Sequence, residues 1–271
     1  MLHEFEYARP ATRAELHELL ARHGKAAKIL AGGTDLLVNI RGGVAKPAIV
    51  IDIKKVRDLP VIAWNPKVGL VIGPAATINE VLAHPAVRDQ YALLADCGQD
   101  LASYQVRNRA TVIGNVVNAS PCSDMAPALL CLGAIAIVSS KRGEREVPFS
   151  EFFTGVKKTV LLDDEILDRI VVPAASAGAR GSYHKLKRIN GHDLGIVGVA
   201  LMKKEGDVAL GISSAAPKPV LVEGLRETDP VEKAVAAVRS ATSPISDLRC
   251  SKEYREFMIE VFVRRLWAEV K

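Results

Sequence analysis

The sequence predicts an α+β protein built from three lobes. Three observations carry that expectation: two short β-branched runs separated by helical segments near the N-terminus, hairpin patterns from residue 61 onward, and a long helical period at the C-terminus. The 271 residues are 49% hydrophobic and 25% charged, enough for a large core and ordinary for a globular chain. The expected lobes are residues 1–55, 56–175 and 176–271.

In the first lobe, Phe5 and Tyr7 lead into Thr12 and Glu15, which stand at capping-box spacing ahead of Leu16, Leu19 and Leu20. The helix so capped ends near His23-Gly24. Lys28 to Ala31 reads as a buried strand, Leu36 to Ile40 as a helix stopped by Gly42-Gly43, and Pro47 to Ile53 as a second strand, together a small parallel α/β unit. The second lobe opens with a hairpin, Val61 to Trp64 and Val68 to Ile72 around Asn65-Pro66-Lys67. Thr77 and Glu80 form a second capping box, Leu93 to Ala102 and Pro127 to Leu132 read as helices, and Ala134 to Ser139 as a strand turning through Arg142-Gly143-Glu144. Ala174 to Gly181 is the best linker in the chain. Beyond it, Gly195 to Met202 and Val208 to Ile212 form a hairpin around Glu205-Gly206-Asp207, and a helix spans 230–240. The closing helix places Tyr254, Phe257, Met258, Val261, Phe262 and Leu266 on one apolar face.

The net charge of +5 does not mark a nucleic-acid binder, because the basic residues are scattered among 31 acidic ones with no basic block interleaved with aromatics. It fits a preference for small anions. The four cysteines, Cys97, Cys122, Cys131 and Cys250, include no C-x-x-C pair, which argues against a structural zinc or a self-contained iron–sulfur site and for free thiols in a reducing cytosol. Met1 to Glu6 carries acidic residues and no apolar core of a signal, and no stretch of about 18 apolar residues suits a membrane span. The expected compartment is the cytoplasm.

Two stretches carry candidate chemistry. Ala31-Gly32-Gly33-Thr34-Asp35-Leu36-Leu37 follows a strand and opens a helix: it is either a turn with Thr34 or Asp35 as a cap, or an anion cradle whose glycines let backbone amides approach a phosphate. Asn108 to Asn115, continuing through Asn118-Ala119-Ser120-Pro121-Cys122-Ser123-Asp124, is dense in small polar residues; by itself it has the composition of any surface loop, and it also suits a ligand-binding loop. His184 and His192 stand in polar surroundings that suit surface histidines better than general bases.

Taken together, Ala31 to Leu37, Gln105 to Asn115 and Ala119 to Asp124 resemble the FAD-binding medium subunit of the xanthine dehydrogenase/carbon monoxide dehydrogenase (molybdenum hydroxylase) family, over essentially the whole chain. The resemblance implies a p-cresol-methylhydroxylase-type FAD-binding fold of two α/β lobes plus a small C-terminal α+β lobe. It implies that Ala31, Gly32, Gly33, Thr34, Asp35 and Leu36 form the first FAD diphosphate loop and Thr111, Gly114 and Asn115 the second. Ser120, Ser123 and Asp124 match the segment contacting the adenosine and ribitol parts, and Tyr183 and Lys187 the segment packed near the flavin ring. A glycine usual in that family is replaced here by Ile113. The implied function is electron transfer from [2Fe–2S] clusters of a small partner subunit, via FAD, to an external acceptor. The molybdopterin would sit in a large partner subunit, the assembly being a dimer of heterotrimers. No protein nucleophile or metal ligand is expected in this chain. A self-sufficient FAD oxidase or reductase, such as a MurB-like reductase, and a non-enzymatic binding protein remain the alternatives.

Overall fold

A computed structural model describes residues 3–189 and 191–269. Met1 and Leu2, the start of the stretch read for a signal, lie outside the described residues. The chain opens with β1 (Glu6–Ala8), α1 (Arg13–His23), β2 (Ala27–Leu30), α2 (Leu36–Arg41) and β3 (Ile49–Asp52). The three strands form a parallel sheet in the order β1-β3-β2. β1 went unread in the sequence because three residues of mixed polarity show no period. Thr12 caps α1 by accepting from Glu15 N at 3.2 Å, while the Glu15 carboxylate accepts from Ala11 N at 2.7 Å. β3 is central and buried throughout. β2 differs from the expected buried strand: it is an edge, with Ala27 buried and Lys28 exposed, because its free side borders a cleft.

The next segment contributes β4 (Ala63–Asn65), β5 (Gly69–Ile72), then six helices: α3 (Ile78–Ala83), α4 (Pro85–Gln90), α5 (Ala92–Gln99), α6 (Tyr104–Arg107), α7 (Val112–Val117) and α8 (Met125–Cys131). It continues through β6 (Ile135–Ser140), β7 (Gly143–Pro148), α9 (Phe149–Phe152), the small hairpin β8 (Phe153–Gly155) and β9 (Lys158–Thr159), and β10 (Ile166–Pro173). β4-β5-β10-β6-β7 form one antiparallel sheet. The Asn65 carboxamide oxygen accepts from Lys67 N at 2.8 Å and closes the first hairpin turn. Thr77 and Glu80 make the full capping box. Thr111 to Asn115, read as a loop, is instead a helix start: Thr111 is the N-cap of α7, its hydroxyl accepting from Gly114 N at 2.9 Å. Burial of Val112, Ile113 and Val116 in the core pins this short helix, which β-branched residues would not form unaided.

The last segment is a meander, β11 (Arg180–Leu186), β12 (Val197–Lys204), β13 (Asp207–Ser213) and β14 (Val220–Arg226), followed by α10 (Val231–Ala241) and α11 (Lys252–Glu269). Glu205 and Gly206, both at positive φ (+52° and +85°), form its tightest turn. One face of this sheet meets α8 so closely that a Cβ on Gly211 would lie 2.3 Å from the Pro127 carbonyl oxygen. The other face packs on α10 and α11. The buried stripe of α11 is Arg255, Ile259, Phe262, Val263, Leu266 and Trp267, whereas Tyr254 and Phe257 of the expected face are exposed. The reason is Arg255, whose guanidinium donates to the buried Ser214 carbonyl at 3.1 Å and lies 3.1 Å from Asp247, turning a charged position inward. Among the described residues no helix is long and apolar enough to cross a membrane.

The first two lobes are joined through polar contacts of α1 with the second sheet. Arg13 pairs with Glu144 at 2.8 Å, Glu18 with Lys141 at 2.5 Å, and His17 and Ser139 share a hydrogen bond of 3.0 Å.

Candidate functional site

The cleft has a volume of about 950 Å³, at the upper end of the roughly 300–1,000 Å³ usual for small-molecule sites. Its first wall is the turn after β2. Gly33 is there because the chain needs φ +77°, where any side chain is strained and a Cβ would press on Leu30 and Leu37. Gly32 is there because the backbone of the α6–α7 connection passes directly behind it: a Cβ at Gly32 would lie 1.9 Å from the Arg109 carbonyl oxygen. Among the described residues, none of the backbone N–H groups of Gly32, Gly33, Thr34, Asp35 and Leu36 donates to a protein acceptor; the helical bonds start with Leu37 N to Gly33 O at 3.1 Å. Asp35 holds the N-cap position without capping. Its carboxylate accepts instead from Asn118 Nδ2 at 2.9 Å. Five adjacent donors facing a cleft with no internal acceptor favour the anion cradle over the capped turn.

The second wall is the start of α7 and the segment after it. A Cβ on Gly114 would come within 2.7 Å of the Thr111 hydroxyl, so glycine keeps the cap intact. Ile113 is absent from the positive-φ residues, lies in the first turn of α7 and is buried; the usual glycine is not needed for a left-handed backbone here. Ser123 Oγ donates to Asn115 Oδ1 at 2.6 Å, and Ser120 Oγ accepts from Cys122 N at 3.2 Å, so the small polar residues of 115–123 brace one another along the wall. Every expected site residue from Ala31 to Leu36 and from Thr111 to Asp124 lines this one cleft.

Asp124 forms the floor. It is buried and held from below by β11: Tyr183 donates its hydroxyl to Oδ1 at 3.1 Å and Lys185 Nζ donates to Oδ2 at 2.9 Å. Desolvation outweighs these two partners and raises the Asp124 pKa above the usual carboxylate value. Burial likewise pushes the Tyr183 phenol well up. Tyr183 and Lys187 themselves do not line the cleft: Tyr183 is in the core behind Asp124, and Lys187 Nζ pairs with Asp100 at 3.1 Å. His184, on the opposite face of β11, pairs with Glu269 at 3.0 Å, away from the cleft, while His192 lines its rim.

Sequence reasoning missed several lining residues. Leu161 and Glu165 come from the loop before β10, and Lys157 and Thr159 from the β8–β9 hairpin. Nothing local marks them, since each reaches the cleft through chain reversal rather than through a motif.

A family described as the FAD binding domain in molybdopterin dehydrogenase matches residues 3–175, and one described as the CO dehydrogenase flavoprotein C-terminal domain matches residues 181–270. The chain belongs to the FAD-binding medium subunits of the molybdenum hydroxylases. The carbon monoxide dehydrogenase medium chain of Hydrogenophaga pseudoflava is 31% identical over 274 residues, covering 96% of this chain and 95% of that one. A putative xanthine dehydrogenase FAD-binding subunit of Escherichia coli is 29% identical, covering 97% and 94%. A solved structure of Hydrogenophaga pseudoflava carbon monoxide dehydrogenase aligns with TM-score 0.91 and 30% identity over 99% of both chains. Quinoline 2-oxidoreductase from Pseudomonas putida, 22% identical with TM-score 0.89 over 99% of this chain and 97% of that one, shares the fold.

The cleft of this medium subunit fits FAD on its own chemistry. An uncompensated row of amides offers donors of the kind a diphosphate takes, and the volume admits a dinucleotide. The subunit is thus an FAD-containing oxidoreductase subunit with an α+β fold.

A second polar cluster ties the C-terminal segment to the cleft rim. Arg249 donates to Asp247 at 2.6 and 3.1 Å and to the Gly195 carbonyl at 2.9 Å, and its Nη1 lies 3.0 Å from Cys122 Sγ. The Arg249 hydrogen bonds hold the Asp247 carboxyl well below the usual range. Because the folded pKa is the lower one, the stabilisation is complete above pH about 4 and is lost as pH falls through the acid range. Thermal melts across an acid pH series are expected to show a shallower decline for Asp247→Asn than for the wild type; equal slopes would remove this residue from the acid transition.

Proposed function

We propose that this medium subunit takes electrons from [2Fe–2S] clusters in a small partner subunit and passes them through FAD to an external acceptor, with substrate oxidation at molybdopterin in a large partner subunit. The observation that carries the cofactor assignment is the row of free amides at Gly32 to Leu36, backed by Arg109. The partner assignment rests on relatives named as medium chains and FAD subunits of dehydrogenases. A dimer of heterotrimers in the cytoplasm is the assembly and compartment we assign; the four free cysteines are in keeping with a reducing environment.

In this reading the amides from Gly32 to Leu36 hold the diphosphate, with Thr111, Gly114 and Asn115 forming the facing wall. Ser120, Ser123 and Asp124 hydrogen-bond the adenosine and ribitol hydroxyls. Tyr183 acts from behind by fixing Asp124, and Lys187 by fixing Asp100. Bound FAD supplies redox chemistry that protein side chains lack. We divide the chain into lobes 1–55, 56–175 and 176–271, because the first sheet ends at Asp52, the second spans Ala63 to Pro173 and the third begins at Arg180.

Titration with FAD tests the cofactor site directly. At FAD about 100 times its Kd, the purified chain should gain about 2.7 kcal/mol of stability and carry flavin absorbance. No thermal shift would overturn the assignment. Co-expression with candidate partner subunits should give a complex whose flavin is bleached by the substrate of the large subunit; turnover of an organic donor by this chain alone would favour a self-sufficient oxidoreductase instead.

A further inference from the structure

Three residues from three separate parts of the chain meet across the mouth of the cleft. Asp35 stands on the first wall, Asn118 at the end of α7 on the second, and Lys157 at the tip of the β8–β9 hairpin; all three line the cleft. The Asn118 carboxamide donates through Nδ2 to Asp35 Oδ1 at 2.9 Å and accepts through Oδ1 from Lys157 Nζ at 2.9 Å. Its orientation is dictated by charge, since only the amino group suits a carboxylate and only the oxygen suits an ammonium. An anion and a cation are thus linked through one neutral amide.

The tip of the hairpin is held in place for this. Lys157 and Ala119 both have positive φ, +57° and +45°, a conformation that side-chain-bearing residues adopt seldom. The two are joined to each other by Lys157 N donating to Ala119 O at 2.9 Å. Lys157 is thereby held at the hairpin tip beside the end of α7, where it lines the cleft.

Two of the contacts between the walls differ in character. At Gly32 and Arg109 the contact is backbone on backbone, and nothing there can open without moving both loops. At Asp35 and Asn118 it is a side-chain hydrogen bond between exposed or half-exposed groups, which rotation about side-chain torsions releases. Gly33 and Thr34, in the middle of the amide row, lie between the two contacts in sequence.

We propose that Asp35, Asn118 and Lys157 form a latch across the cleft, positioning residues that set how long FAD stays bound. The latch rests on the assignment of the FAD diphosphate to the amide row. Opening it requires breaking either bond to Asn118, so cutting the relay at one end has the same consequence as cutting it at both. The lysine ammonium also gives the cleft mouth a cation beside a dianionic diphosphate, which adds to retention only while Asn118 holds it there.

The test is the rate of FAD release from the loaded chain, followed by recovery of flavin fluorescence in excess competitor, for Asp35→Ala, Lys157→Ala and the double variant. Each single variant is expected to release FAD about tenfold faster, the loss of one charge-assisted hydrogen bond. The double variant should be no faster than the singles, since their effects share one relay. Asn118→Leu should match them, and Lys157→Arg should restore slow release. Melting of the FAD-free chain should be unchanged in every variant, because all three groups lie at the surface. Unchanged release rates, or effects that multiply to about a hundredfold in the double variant, overturn the latch while leaving the FAD site standing. A wild-type chain that takes up no FAD overturns both.

Discussion

Gly32→Ala is expected to yield a chain without FAD. The added methyl would sit 1.9 Å from the Arg109 carbonyl oxygen and 2.7 Å from its carbon, inside van der Waals contact with backbone on a different segment. No rotamer change relieves a clash between a Cβ and a main chain, so one of the two walls must move. Whichever moves takes the amide row out of register with α7, and a cradle displaced by about 1 Å loses its ligand geometry. Overpacking of this kind costs about 1–3 kcal/mol, so the variant should fold with a lowered Tm yet fail to retain flavin after gel filtration. Gly43→Ala serves as the contrast: φ there is +72° but nothing lies within 4 Å, so strain is present without a clash at the cradle. Full flavin content in Gly32→Ala would show that the Gly32–Arg109 contact does not set the site.

The second large effect is expected beneath the floor. Lys185 has a side chain only 1% exposed and its ammonium is shared between Asp124 Oδ2 and the Asp100 carbonyl. Lys185→Met keeps the volume but leaves Asp124 buried opposite no charge, which typically costs about 3–5 kcal/mol. The pKa of Asp124 is already raised by desolvation, and loss of the cation raises it further. A raised folded pKa contributes stability below the unfolded pKa and loses it as pH rises through the folded value, so the damage should be greatest at neutral pH and relieved in acid. Replacing both partners, Lys185→Met with Asp124→Leu, should recover most of the stability at neutral pH. It should not recover FAD, because Asp124 lines the cleft. Urea denaturation of the three proteins with flavin content measured alongside separates the two roles; a single variant as stable as the wild type would mean that the buried pair contributes nothing.

Much of the site was legible in short motifs because they encode constraints that few residues satisfy. Gly33 sits on backbone that a side-chain-bearing residue follows only under strain, and the spacing of Thr77 to Glu80 announces a helix start whatever lies around it. Asn65-Pro66-Lys67 and Glu205-Gly206-Asp207 mark reversals by local turn chemistry, and both hairpins form. Depth was harder to read. Tyr183 and Lys187 match the family segment packed near the flavin ring, but how many layers separate their face of β11 from the cleft depends on α8 and Asp124. α7 looked like a loop because its helix is held by core contacts of Val112, Ile113 and Val116 rather than by propensity. The face of α11 was misjudged because Arg255 counts as polar until Asp247 and Ser214 are found beside it.

What local chemistry alone specified was narrower than the two walls: the positive-φ turn at Gly33, the capping boxes of α1 and α3 and the small polar run from Ser120 to Asp124 follow from local conformational limits, whereas the Thr111 cap and the need for glycine at 32 do not. What the walls enclose and how they are joined came from the packing of the lobes. The approach of Gly32 to Arg109, the Lys185–Asp124 pair and the Asp35–Asn118–Lys157 relay each link residues more than sixty or seventy positions apart or on separate elements, at least in one of their partners. Such contacts are fixed by how sheets and helices pack, through short-range forces that act only once the chain has brought the groups together.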